Sequence, residues 1–527
     1  MKKSTSILLI FLFTLTFQSF GQSYNVKWGD LDKRTGSMIS IIPRSKEDFF
    51  ALRWSGGALF GYLKLSKHNN LTLMATGKIV MKVENSMAVY EGVTCVNNHL
   101  MVFLSDKSEN KNKIYMQEYS ENLEPKGQAI LLDEYDISSG KGRGKGKFKI
   151  VNSKDKQFFG VIWETYEKSE AKTNYGFHIF NKDLGTVSKG SYQLNYSDEE
   201  SYIYSHHLSN TGDYFISSFE YSKPDEKKIF NRYLQYKAFH IAHVTSNGLK
   251  DYILDLQGKR VETMSIESDN NHFLTITGVY GELKKIGING IFYLRLDFNK
   301  QEIIKKGFEE FKTDFITQDW TDKQKDKAKK RELQGKGQEP QLYDYKVRET
   351  NILPDGSIIC SLEQFYIVTN SYRDPRTGVI STTYTYFYKD IITFKFDIDG
   401  SFIWINKINK QQISTNDDSF SSYSSFIDNG KLCLIFNDNI NNYDEKGNFL
   451  NSDYIYTANF SKRKNAVGFV EVDLNTGEVK RKSLFNAKDI SAIIVPKLFV
   501  TDYYSKQLTL YAVYGKKEKF GTIEFKD

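Results

Sequence analysis

Proline and cysteine are both scarce: 527 residues contain seven prolines and three cysteines. Helical periodicity is scarcer still, which excludes an α/β enzyme core with its alternating strand and helix patterns. No long apolar run occurs after residue 22, and a mean hydropathy of −0.50 leaves no room for a membrane domain. Charge of one sign is also lacking. The formal +7 falls to +5 (7 − 2) if Lys2 and Lys3 are removed, against 72 basic and 65 acidic residues, so nucleic-acid binding is set aside.

Motifs for chemistry are missing as well. No Gly-x-Ser-x-Gly elbow, His-Glu-x-x-His or Cys-x-x-Cys pair is present, and the run Gly140 to Lys147 lacks the spacing of a phosphate-binding loop. His206 and His207 are adjacent, while His240 and His243 fall on opposite faces of a strand, so neither pair makes an easy metal site. Asp397 and Asp399 read as a hairpin turn, and the segment around Asp444 lacks calcium-loop spacing. No catalytic residue, cofactor site or metal site is assigned, and the chain reads as a non-enzyme. Cys95, Cys360 and Cys433 lie far apart in strand-like phrases; they read as three buried small hydrophobes, with one disulfide and a spare thiol as the alternative.

What is abundant is aromatic residues, 15% of the chain, arranged in one recurring phrase. "NGIFYLRLDFNKQEIIKKGF" (289–308), "DIITFKFDIDGSFIWINKI" (390–408) and "AVGFVEVDLNTGEVKRKSLF" (466–485) each read strand, polar turn, strand. Each is preceded by two further strands joined by turns such as "LPDGS" and "IDNGK", where Asp, Asn and Gly supply Asx hydrogen bonds and positive φ. The unit is a four-stranded antiparallel meander, A to D. Its C strands fall near Ala58, Lys113, Asn174, Ala238, Gly290, Ile391, Ala466 and Lys519. The last unit supplies A, B and C only, and "SYNVKWGDLDK" near the N-terminus is a lone strand. The expected fold is an all-β propeller of eight four-stranded blades, closed by N- and C-terminal strands in one blade. Seven blades, or two packed β-domains divided near residue 325, are the alternatives.

Residues 1–21 carry Lys2 and Lys3, an apolar run and small residues, the pattern of a cleaved signal peptide; 22–527 is then the propeller. Insertions at 220–237, 309–343, 363–390 and 437–465 are B–C or D–A connections, as is the Gly-Lys stretch. In an antiparallel blade these emerge on one face, the expected working surface. Its Tyr366, Tyr372, Arg373, Arg376, Tyr384 and Tyr386, with Lys327 and Lys446, are the candidate partner-binding residues. The competing reading is that insertions accumulate in loops without purpose. Within 309–343, "TDKQKDKAKKREL" has an N-cap at Thr321 or Asp322 but no apolar stripe, so it reads as a solvated helix or a disordered tip.

The leader ending "SFGQ", the bias toward Lys, Asn, Ile, Tyr and Phe, and the eight loose units resemble exported propellers of Bacteroidota. In size and repeat style the chain is similar to the plug subunits that cap the periplasmic mouth of the type IX secretion channel. The resemblance covers organisation across the mature chain and transfers no functional residue. It implies a periplasmic, non-enzymatic protein docking on an outer-membrane channel or envelope complex, with no sorting domain after Asp527. A carbohydrate- or ligand-binding propeller with a site in the central channel, and a general envelope scaffold, are the other readings.

Overall fold

In the computed structural model, residues 24–57, 60–137, 148–167, 172–197, 200–222, 235–333, 340–450, 454–503 and 505–525 are described. The expected leader (1–21), the Gly-Lys run (140–147) and most of the 220–237 insertion lie outside them. Seven sheets run in chain order as four-stranded antiparallel meanders, spanning 37–78, 89–136, 148–193, 201–253, 259–310, 345–408 and 423–486. We number them blades 1 to 7. Blade 8 takes its A, B and C strands from 493–524 and its D strand from Val26–Trp28, which pairs antiparallel with Lys517–Glu524 (Val26 opposite Ile523, Trp28 opposite Gly521). The lone N-terminal strand thus fills the last edge.

Ring closure is visible in the core. Eight apolar clusters each span two consecutive blades, and the eighth joins blade 8 to blade 1 through Val495, Tyr511, Val513 and Phe520 against Ile41, Phe49 and Ala51. Because a B or C strand is packed on both faces, its burial is continuous rather than alternating. Phe273–Glu282 is buried at every position but its two ends. Outer strands alternate instead, as in Thr186–Gln193. A strands of neighbouring blades touch and line the axis. All three cysteines are free and buried, Cys360 and Cys433 completely.

Two expectations need adjustment. Strand C of blade 1 begins at Tyr62, beyond Ala58, because Trp54 closes the preceding turn by donating its indole N–H to the Gly57 carbonyl at 3.1 Å. Segment 363–390 is sheet rather than loop: strands B and C of blade 6 continue outward as Ile358–Arg373 and Ile380–Phe396, paired from Ile358/Phe396 to Arg373/Ile380.

Candidate functional site

The blade 6 ribbon owes its length to its composition. Beyond Glu363 it alternates β-branched and aromatic residues, which favour a pleated strand even without a sheet beside them. Its base is anchored. Phe365 and Tyr388 meet at 4.6 Å, Arg348 lies over both rings, and the Tyr388 hydroxyl donates to Asp418 at 2.5 Å. A short strand, Gln412–Thr415, pairs with 385–388 and ends with Asn416 bonded to the Tyr384 backbone.

Past that support the ribbon pairs with no other strand among the described residues. Ile367, Tyr386, Tyr384, Arg373 and Ile380 share one face; Tyr366, Phe387, Val368 and Tyr372 share the other. Tyr372, Val379 and Ile380 are 63, 60 and 65% exposed, far above what an apolar residue on a packed sheet retains. Tyr366 is half-buried, stacked on Phe387 at 4.6 Å, and Tyr386 is half-buried too. The tip is a turn in which Asp374 accepts from the Arg376 and Thr377 amides, holding its carboxyl below the usual range, and Gly378 takes φ 71°. Arg376 is therefore a tip residue, belonging to neither face.

Lys446 and Lys327 belong to other elements. Lys446 is exposed in a turn capped by Asp444, and Gly447 accepts from the Ser483 amide on the outer strand of blade 7. Lys327 is exposed on α2 (Asp322–Leu333), which follows α1 (Thr313–Thr317). Gln324 caps α2 by accepting from the Thr321 amide at 2.8 Å. The five-residue α1 escapes a sequence reading because it is too short to show a period.

Three insertions converge on one cleft. Trp320, between the two helices, Gln364 and Lys389 at the ribbon base, and Tyr454 and Ile455 from the 437–465 insertion line a cavity of about 370 Å³. On its floor Lys407 pairs with both Asp319 and Asp390. Burial, and after it the Asp319 carboxylate, raises Asp390 to about 6 against the pull of Lys407. Lys407 pairs with Asp319 and donates to the Ile316 carbonyl at 3.2 Å, so it tethers α1 to blade 6. The lone Trp in "TQDWTD" was the available sequence signal, but Asp319, Asp390 and Lys407 are brought together only by the fold.

The cleft walls are ordered by buried polar hubs. Asp438 accepts from Tyr443 (2.6 Å), Asn442 (2.7 Å) and Arg481, and Arg481 stacks on Phe449 at 4.0 Å. Glu363, fully buried, pairs with Lys410 at 2.9 Å and Arg348 at 2.8 Å.

A second cluster sits on the propeller axis. Lys154 of blade 3 reaches blades 5 and 6, donating to the Thr350 carbonyl (3.1 Å) and Asn351 (3.0 Å) beside Glu267. Blades 3 and 6 are not neighbours, so this contact crosses the channel. Asn351 and Ser425 donate to Glu349, and Tyr503, whose hydroxyl is pushed up by burial, lines the same cluster. Glu267 is likewise raised by burial. A cavity of about 640 Å³ opens from this cluster toward the A–B turns.

No protein-family model matches the sequence, and no curated protein matches it. Among solved structures the chain is similar to the Dos1 propeller (8% identity, TM-score 0.44, covering 95% of this chain and 97% of that one). It is also similar to Sqt1 from Chaetomium thermophilum (10%, TM-score 0.38, 94% and 98%) and to the polysaccharide lyase Uly1 (10%, TM-score 0.37, 96% and 93%).

Proposed function

We propose that this chain is a non-enzymatic, exported propeller that docks through the blade 6 ribbon on an outer-membrane protein complex from the periplasmic side. The observation that carries this reading is the ribbon itself: aromatic and β-branched side chains, with Arg373 and Arg376, stand clear of the ring on both faces. An exposed apolar patch of that kind on a rigid scaffold is how protein interfaces are built, with Tyr and Arg as anchors. Export and a periplasmic location rest on the leader pattern of residues 1–21. In its sharpest form the complex is the type IX secretion channel and the propeller its periplasmic plug, as the resemblance in organisation implies.

The test is affinity purification of tagged protein from detergent-solubilised envelopes, with cross-linking. Docking through the ribbon predicts cross-links from Tyr372 or Arg376 to an outer-membrane channel, lost when 369–384 are replaced by Asn-Gly. Conductance of that channel with and without the propeller then tests plugging. Recovery of the protein alone, or a partner retained by the shortened ribbon, refutes the reading.

A second reading, a small-ligand site at the axis, draws on the convergence of Glu267, Glu349, Tyr503 and Lys154 beside the 640 Å³ cavity. Lys154 already occupies the crossing and neutralises part of the charge, which favours the ribbon reading.

A further inference from the structure

The cleft at Trp320 does not end there. Cavities of about 370, 700 and 850 Å³ adjoin one another around this indole: the first and second share Asp319, Trp320, Lys407 and Asn409, and the first and third share Ile316, Trp320 and Gln341. Each is of the size that holds a small ligand. Together they form one open groove running from the foot of α2, past Trp320, to the outer strands of blades 6 and 7.

We infer that this groove binds a neutral oligosaccharide, with Trp320 as the stacking platform between adjoining subsites. Four features select this chemistry. Aromatic rings recur along the groove, with Tyr454 in one chamber, Phe449 in another and Trp320 in all three. Such rings present flat apolar faces to sugar C–H groups. Side-chain amides and carboxylates crowd the same walls; Gln364, Gln411, Asn409, Gln341, Asp319 and Asp390 all line the central chamber. Planar groups of this kind match vicinal hydroxyls, accepting and donating in pairs.

The charges balance along the groove. Lys407 lies against both aspartates, Lys410 against Glu363 and Arg481 against Asp438, while in the third chamber Glu309, Glu310 and Asp314 are set among Lys312, Lys325 and Lys329. A polyanion or polycation would meet like charges beside opposite ones, whereas a hydroxylated neutral chain needs neither. An extended peptide is disfavoured for a separate reason. The Lys407 carbonyl at the adjoining sheet edge accepts from Gln318 at 3.0 Å, and the Asn409 carbonyl just beyond it accepts from Arg481, so strand addition has lost two acceptors. Finally, the walls are preformed. The 437–465 insertion is held by Asn439 to the Thr457 carbonyl (2.8 Å), by Asn442 to Tyr456, and by the Ala458 amide to Gln411. A ligand therefore meets little ordering cost.

The groove and the ribbon tip are separate surfaces, so the two proposals fail separately. The test titrates full-length protein with chitohexaose, cellohexaose and maltohexaose, following tryptophan emission and heat. At least one hexaose should saturate the protein and bind about tenfold more tightly than its trisaccharide, because it spans more than one chamber. Trp320→Ala should weaken binding about tenfold or more, and Trp320→Phe should retain most of it. Should Trp320→Ala fold poorly, Gln411→Ala and Asn409→Ala read the same site. Replacing 369–384 by Asn-Gly should leave the affinity unchanged. No binding by any of the three hexaoses overturns the inference. So does binding that survives both Trp320→Ala and Gln411→Ala in folded protein, or that disappears with the ribbon tip.

Discussion

Blades 6 and 7 each carry a long insertion at the same place, between strands B and C, yet the two behave oppositely. The blade 6 insertion extends the ladder into solvent, while that of blade 7 turns back through a short 3-10 turn at Ile440–Asn442 and packs on its own blade. The difference lies in composition. "YIVTNSYR" paired with "ISTTYTYF" keeps a two-residue period, so backbone groups satisfy one another across the ribbon. "NDNINNYDEKGN" has short polar side chains that bond nearby backbone instead: Asn439 with the Thr457 carbonyl, Asn442 with Tyr456 and Asp444 with two amides of its own turn, while Asp438 anchors the Tyr443–Arg481 hub. An insertion with strand grammar reaches outward. One with Asn and Asp grammar folds home.

This contrast can be broken most sharply at Asp438. Removing its carboxylate by Asp438→Ala strands a buried Arg481, which costs about 3–5 kcal/mol. Chemical denaturation should register the loss, and limited proteolysis should cut within 440–458 while sparing the ribbon. A smaller effect belongs to Asp390, between the two insertions. Its folded pKa, about 6, lies above the unfolded value, so the folded state binds the proton more tightly and stability falls as pH rises from about 4 through 6. Asp390→Asn removes the buried charge beside the Asp319 carboxylate. It should gain on the order of 2 kcal/mol at pH 8 and almost nothing at pH 4, read as thermal midpoints at the two pH values.

At the ribbon tip the expected effects shrink again. Gly378→Ala meets no neighbouring atom, only an unfavourable φ of 71°, worth about 1 kcal/mol. Hydrogen exchange should rise about fivefold across 374–379 with global unfolding unchanged. Replacing 369–384 by Asn-Gly should move the unfolding midpoint least, by about 0.5 kcal/mol or less. A large loss there would mean that the ring leans on the ribbon and would erase the contrast with blade 7.

The ring was legible in the sequence because its signals are local. Alternation, Asp-Gly and Asn-Gly turns and a fifty-to-sixty-residue recurrence locate Gly290–Asp297 and Asn465–Asp473 as C strands without reference to anything distant. Even the closing strand could be read, since "NVKW" had no partner nearby. The ribbon was half legible: its tyrosines and arginines stood out, but its continuation of the sheet depends on the Gln412–Thr415 strand beside it. The Trp320 groove was opaque. Asp319, Asp390, Lys407 and Tyr454 are scattered over more than a hundred residues, and no spacing rule joins side chains that meet only because blade 7 curls back toward blade 6.

The pairing that completes blade 8 also decides how the molecule answers to force. Val26 lies opposite Ile523 and Trp28 opposite Gly521, so both chain ends leave the pair at the same side. Tension applied through the termini would peel the three-residue strand one rung at a time rather than shear all its bonds together. Two latches stand ahead of that zipper. Tyr24 is buried between Phe426 and Phe469, its hydroxyl 2.8 Å from Asp428, and on the other strand Phe525 stacks on Phe426 at 4.9 Å. The mechanical strength of the closure is therefore set by how firmly two aromatic rings grip Phe426 in the seam between blades 7 and 8.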